Sequence, residues 1–508
     1  MSMNRRSFLK AAGAAAAAGA ALALPSFLGA SEWGAIPGGS PWNHGPRKIL
    51  HILLPGGCSI WENFWVRNDF DFAGYDDDVS SLDWSCAGSP SPANQVRGFE
   101  YDQALHEIYW GPATKPLWSS HILDHSRMIT QVLGQANPPH EIGLPLMVGG
   151  RSVGHRKLAG MAAAVEHRYQ SAAPRDTPYS CVIAPQAGNT NLLRSLLMSS
   201  GMHPSWAKPL LLKLGIGESS LKQQLQRAGV TVSSDLLFNL YRSQYRDLLR
   251  FQGEGNPVRS AGFESFDHSA NLLFSAGAFD DLLSNDLLEV QDAEPCAGSA
   301  PNPLMANTTK TGMELAAHLL SLPHAEGGMR YVALIDSGLR DSGGVGPYDA
   351  HGGANVAVTS ANLWNVLDHL AQIIQSPGLG LGIGGPSTPK IDLSDTAVII
   401  SSEFTRSAAT KENGGRDHWA AGFVALVISD LASRGISGAL DDDYTVGDGF
   451  GYGPQDICAL QMLLAGIWPF ETENFNMTEL SDNLKNDDDG DAADENDVVE
   501  KLQQKFLG

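Results

Sequence analysis

Five places along the chain set acidic, imidazole, hydroxyl or thiol side chains directly after an apolar run. "VIIS" is followed by Ser402-Glu403-Phe404-Thr405-Arg406, and then by Gly415-Arg416-Asp417-His418-Trp419. "YVALID" opens into a glycine-rich stretch containing Asp349-Ala350-His351, and "MITQVLG" leads to "QANPPHE", with His140 and Glu141. "KILHILLPGG" ends in Cys58 and Ser59, with Glu62 close behind, and "LPLMV" runs into Gly150-Arg151-Ser152-Val153-Gly154. A mixture of carboxylates and imidazoles is the donor set that zinc, manganese and other borderline divalent ions accept. Asp349 and His351, two apart in an extended loop, face the same way. Asp417-His418 supplies either two ligands to neighbouring ions or one ligand and an orienting carboxylate. Taken singly, each residue reads more simply: Asp349 caps a turn, Glu403 pairs with Arg406, and His418 is a loop histidine. The group together points to a metal or substrate site.

The elements that must position these residues can be read from periodicity. "KILHILLPGGCS", "RMITQVLG", "YSCVIAP", "MRYVALIDSG", "TAVIISSEF" and "FVALVIS" are continuous apolar runs, the pattern of strands buried on both faces of a parallel sheet. Between them lie helical patterns. In "NLWNVLDHLAQIIQ", Leu363, Val366, Leu367, Leu370, Ile373 and Ile374 fall on one face. "GPQDICALQMLLAGI" opens with Pro454 in its first turn and carries a glycine near its end. Strands alternating with helices predict an α/β domain with a mainly parallel central sheet flanked by helices. In such sheets ligands bind beyond the carboxyl ends of the strands, where the polar clusters fall. Residues from about 205 to 325 read as a largely helical insertion, and residues 60–125 as long loops rich in Trp, Asp and Pro.

"GRSVG", Gly150 to Gly154, satisfies G-x-S-x-G, so Ser152 is a candidate nucleophile of a serine esterase. The "HGG" at 351–353 follows this elbow, whereas the oxyanion segment of such esterases precedes it. A turn before a helix accounts for the motif as well. Placing Gly490 at the glycine of a calcium loop puts Lys485 at the first ligand position, which fails the pattern.

The amino-terminal "MSMNRRSFLKAAGAAAAAGAALALPSFLGA" has Arg5-Arg6, then Phe8-Leu9-Lys10, then an alanine-rich apolar stretch ending in small residues. This is the pattern of an export signal, here with a twin-arginine motif. Its apolar part is shorter than the ~20 residues that span a bilayer, so no stable membrane span is expected. Cleavage after Ala23 or after Ala30 both fit. The predicted location is therefore the periplasm or the exterior, with the twin-arginine export machinery as a partner. Such machinery moves folded proteins, often already loaded with a cofactor. The formal charge of −22 argues against nucleic acid, which needs clustered Lys and Arg. Much of the charge is local, because the last 38 residues hold twelve acids and three lysines. That tail, 471–508, reads as a solvated acidic segment with a short terminal helix. Five scattered cysteines without a C-x-x-C pair exclude a zinc ribbon and leave one or two disulfides open.

Asp349-Ala350-His351, Ser402-Glu403-Phe404-Thr405-Arg406 and Gly415-Arg416-Asp417-His418-Trp419 resemble, in order and spacing, a bacterial secreted family. It is the domain-of-unknown-function family number fifteen-oh-one, which has a twin-arginine leader, a D-T-H-like loop, an S-E-F-G-R segment and a G-x-D-H element. The resemblance covers the leader, the first strand with its Gly-Gly turn, and residues from about 330 to 467. That family looks like part of the alkaline-phosphatase and sulfatase-like superfamily, whose members use one or two metals to cleave phosphate or sulfate esters. The resemblance implies an alkaline-phosphatase-like α/β domain over 47–470; before it, residues 1–30 read as the leader and residues 31–46, rich in Gly, Pro and Trp, as a linker or amino-terminal arm. It places Asp349, His351, Glu403, Asp417 and His418 where metal ligands are expected, with zinc, manganese, magnesium or calcium as the ion. Arg406 would hold an anionic oxygen of the ester substrate, and His140 would match a family histidine. The family's first Gly-Gly turn often carries an Asp. Here Cys58 and Ser59 stand in that turn, with Glu62 as a candidate replacement. The sulfatase signature C-x-P-S-R is absent, so Ser59 and Cys58 are the nucleophile candidates beside water activated by the ion. The alternatives are a non-catalytic binding protein on the same fold and the Ser152 esterase.

Overall fold

The six apolar runs all become strands of one sheet. In the computed structural model the described residues are 34–67, 97–101, 107–133, 139–150, 160–170, 178–185, 209–214, 303–323, 328–340, 342, 344, 346–351, 356–375, 390–408, 415–446, 451–470, 480–486 and 493–508. The leader, the G-x-S-x-G serine Ser152, Cys86, Cys296 and most of the 205–325 stretch lie outside them.

The described strands are β1 (Lys48–Leu53), β2 (Val66–Arg67), β3 (Arg97–Tyr101), β4 (Glu107–Trp110), β5 (Ser126–Gln131), β6 (Ser180–Pro185) and β7 (Leu210–Leu214). They continue with β8 (Tyr331–Ile335), β9 (Thr396–Ser401), β10 (Thr405–Arg406), β11 (His418–Trp419), β12 (Phe423–Ile428) and β13 (Gly435–Ser437). The main sheet has eight strands in the order β13-β5-β12-β9-β1-β8-β6-β7. All its pairings are parallel except those of β12, which runs against both β5 and β9. β7 is a difference from the sequence reading, since it lies inside the stretch expected to be helical. The region read as long loops holds a second sheet, β2-β4-β3.

Helices cover both faces. They are α1 (His140–Gly149), α2 (Met161–Gln170), α3 (Pro303–Ser321), α4 (Val356–Ile373), α5 (Pro454–Leu464) and α6 (Glu495–Phe506). Alternation along the central strands explains the two-sided burial. Leu50 and Ile52 of β1, Val332 and Leu334 of β8, and Val398 and Ile400 of β9 share one core cluster with α3 and α4. The residues between them face the opposite side, where α2 contacts β6 and β8 and α5 contacts β1. On that side His51 is fully buried and bridges three strands, with Nδ1 2.9 Å from the Tyr331 hydroxyl and Nε2 2.7 Å from Ser401 Oγ. Burial lowers its pKa to about 3, so the ring is neutral.

The ends of the described chain are packed down. Trp42 of the arm is buried, Gly34 O accepts from Trp468 N, and Leu464 O accepts from Arg47 N. α6 is capped by Asp494, and its Val498, Val499, Leu502 and Phe506 are buried. Its last carbonyls are held by Arg127 Nε, which donates to Lys505 O at 2.7 Å, and by Ser433 N, which donates to Leu507 O at 2.7 Å. The acidic tail therefore ends in a docked amphipathic helix. Among the described residues no helix is long and apolar enough to cross a membrane.

Candidate functional site

The turn after β1 is where the polar strand ends meet. Gly56 and Gly57 have φ of +117° and +82°, a region that side chains rarely adopt. Space is short as well: a Cβ on Gly56 would stand 2.5 Å from the Asp349 backbone nitrogen, and one on Gly57 2.6 Å from the Phe404 ring. The glycines thus let three loops, those after β1, β8 and β9, close on one another.

Two side chains of opposite charge grip this turn. Glu403, fully buried at the end of β9, accepts the Gly56 N–H on Oε1 at 2.8 Å. The same oxygen lies 2.7 Å from His140 Nδ1. Arg406, fully buried in β10, donates through Nε to Gly57 O at 3.2 Å and through Nη2 to Gly56 O. Its Nη2 also donates to Asp349 Oδ1 at 2.8 Å. Burial pulls the Arg406 pKa down, and the Asp349 and Glu403 carboxylates oppose that shift. β10 pairs with β11 so that Arg406 lies opposite His418, which carries the Asp417-His418 segment back to the same end of the sheet.

The remaining distances define a cluster. Asp349 Oδ1 also accepts the His351 N–H at 2.9 Å, and Asp349 Oδ2 faces His140 Nε2 at 3.9 Å. The His418 ring lies 4.7 Å from that of His140, 5.5 Å from that of His351 and 4.5 Å from Phe404, centroid to centroid. His351 Nδ1 is 3.2 Å from Asp417 Oδ1, and both side chains are half exposed. Six of the predicted residues, Asp349, His351, Glu403, Asp417, His418 and His140, thus come together with Arg406 behind them. As the side chains stand they hold one another. Among the described residues no three His, Cys, Asp or Glu side chains form a set that could enclose a metal ion.

Ser59 is not part of the cluster. It is buried, donates to Glu62 Oε2 at 2.9 Å and lies 3.3 Å from Arg416 Nη1. Glu62 and Arg416 form a buried ion pair at 3.4 Å. The Cys58 thiol is buried too, and burial with the charges of Glu62, Glu403 and Asp336 pushes its pKa well above the usual range. It is a thiol rather than a nucleophilic thiolate. Cys58, Cys181 and Cys458 are all buried outside any disulfide.

Two hydrogen-bonded groups hold the Asp349 loop in place, and of their residues the sequence pointed only to Asp336, the end of "YVALID". Asn362 of α4 accepts from Leu339 N and Arg340 N and donates to Pro347 O at 2.6 Å. Asp336, at the end of β8, accepts from the Tyr348 hydroxyl at 2.6 Å and from Thr309 of α3 at 2.7 Å. Burial raises the Asp336 pKa against these hydrogen bonds. Gly143 of α1 was missed as well: a Cβ there would stand 2.8 Å from Glu403 Cβ, so the glycine lets α1 bring His140 onto Glu403. A polar residue at an otherwise apolar helix position, such as Asn362, is the one signal that could have flagged this scaffold.

A family model described as protein of unknown function (DUF1501) matches residues 48–441, which span every residue of the cluster. No curated protein matches the chain.

Proposed function

We propose that this chain, which belongs to the DUF1501 family, is an exported metal-dependent hydrolase of phosphate or sulfate esters, on a fold related to the alkaline-phosphatase and sulfatase-like superfamily. One observation carries the reading: His140 Nε2 and Asp349 Oδ2 face each other at 3.9 Å, beside His418 and His351, at the carboxyl ends of the central strands. That separation is too long for a hydrogen bond and shorter than about 4.2 Å, the sum of two bonds to a zinc-sized ion. The donor chemistry fits a divalent ion, with His140, Asp349, His351 and His418 as the residues to hold it and Asp417 oriented against His351. When bound, such an ion supplies Lewis acidity that polarises an ester oxygen and offsets developing negative charge.

The chain's own groups prepare the place. Arg406 neutralises Asp349 from the buried side and fixes Oδ1, so that Oδ2 is the oxygen turned towards His140. Phe404 packs beside both His140 and His418, a wall that limits how far either ring can turn. The rim pair His351–Asp417 is open to solvent and is where an anionic substrate would arrive.

Metal content of protein purified without chelator is the first test. A divalent ion near one per chain, together with turnover of an aryl phosphate or sulfate that His140→Ala and Asp349→Ala abolish, supports the reading. A metal content of a small fraction of one per chain sinks it. The buried, engaged Ser59 and the protonated Cys58 favour a second reading, a non-catalytic binding protein on the same fold. Metal and anion binding without turnover would select that one.

A further inference from the structure

Glu403, expected among the metal ligands, is the most deeply buried carboxylate of the cluster. It has no exposure, and its Oε1 already receives the Gly56 N–H at 2.8 Å. Arg406, buried beside it, grips the same turn from the other side, and a carboxylate next to a buried guanidinium accepts rather than donates. The 2.7 Å contact between Oε1 and His140 Nδ1 is therefore a hydrogen bond in which the imidazole donates. A neutral imidazole that donates from Nδ1 has its lone pair on Nε2, the atom facing Asp349. We infer that Glu403 is a positioning residue: its buried carboxylate, anchored on the Gly56 N–H, sets the tautomer and direction of His140 so that Nε2 carries the lone pair and turns it towards Asp349. This rests on the metal-site reading only for what the Nε2 lone pair serves.

Two further observations fit this role. Gly143 removes the Cβ that would hold α1 away from Glu403, so helix and carboxylate approach closely for this one contact. Phe404, next to Glu403 in the chain, has its ring centroid 5.1 Å from that of His140 and limits rotation of the imidazole. A carboxylate, a backbone anchor and a packed ring thus fix one side chain among the 15 histidines of the chain.

The test uses the full chain, metal-free, with nitrogen-15 label on histidine and His140→Ala to assign the resonance. In the unaltered chain, the ring nitrogens of His140 are expected to show a protonated Nδ1 and a pyridine-like Nε2. Glu403→Gln, which keeps an acceptor for Gly56 but can also donate to Nδ1, is expected to mix the two tautomers and to weaken zinc binding about 10- to 100-fold. A protonated Nε2 in the unaltered chain overturns the inference without any variant. So does a Glu403→Gln protein that folds and leaves the tautomer unchanged. If zinc binds neither protein but the tautomer follows Glu403, the positioning role stands and the metal reading falls.

Discussion

The site has an inner half and an outer half, and each holds a carboxylate against an imidazole. Glu403, Arg406 and Asp349 form the inner half with His140, and the side chains of Glu403 and Arg406 have no solvent exposure. His351 and Asp417 form the outer half, at 51% and 52% exposure. A carboxylate–imidazole contact is present in both, but only the inner one is locked by backbone groups and a buried counter-charge. Removing one partner of a buried charge pair leaves the other uncompensated, whereas an exposed pair is screened and contributes little. Composition alone therefore does not decide what a Glu-His or Asp-His contact is for; its depth does.

Breaking the inner half should have the largest effect. Arg406→Leu removes the charged partner of Asp349 and the guanidinium donors to the Gly56 and Gly57 carbonyls. A loss of about 3–5 kcal/mol in urea unfolding is expected. Gly56→Ala forces a side chain onto a φ of +117° and into the Asp349 backbone, with an expected cost of about 3 kcal/mol and loss of any metal binding. A Gly56→Ala protein as stable as the unaltered chain would show that the three loops can part without harm.

Acid sharpens the comparison through groups far from the rim. His51, with its pKa lowered to about 3, and His369, lowered to about 4, stay neutral in the fold but charge below about 6.5 once unfolded. Their contribution is present above that value and is lost as pH falls towards 4 and 3. Asp456 has the opposite sign. Burial raises its pKa to about 6, so the fold gains from its protonation as pH drops from 6 to 4, by at most about 3 kcal/mol. Urea midpoints should decline between pH 6 and 4, and Asp456→Asn should make the decline steeper. An unchanged slope in that variant would contradict the assignment.

The smallest change is expected at the outer half. Asp417→Ala should alter stability by no more than about 0.5–1 kcal/mol while lowering ion or anion binding, measured by titration calorimetry. A larger stability loss would mean the rim pair is structural and the division between halves is wrong.

Much of this arrangement was legible in the sequence. The six apolar runs, the 3.6-residue period of α4 and the boundary residues of α5 are strong local signals, and they place the carboxylates and imidazoles at one end of a sheet. β7 was not legible. "LLLKL" is made of good helix formers, and only pairing with β6 makes it extended. The split between inner and outer halves was not legible either. Glu403 closely follows one apolar run and Asp417 closely precedes the next, and nothing in residue type says which turns inward. The scaffold of Asn362, Asp336, Tyr348 and Thr309 acts across gaps of 12 to 27 residues in the chain, which spacing rules for helices and strands do not reach.

The reversed strand β12 has a consequence for how the molecule is assembled. Because β12 runs antiparallel beside β9, the connection through β10 and β11 needs no crossover of the sheet, and the 405–419 pairing is a local event. Glu403 meets His140 across 263 residues and Gly56 across 347. Contacts of such separation form late, after loop-closure entropy has been overcome by the sheet itself. His418 and Arg406 can therefore be brought together early in folding, while the clamp that aims His140 closes only when the first and last central strands are side by side. The binding proposed for this site would then be a readout of completed folding, and a chain stalled at an earlier stage would present the rim without the clamp behind it.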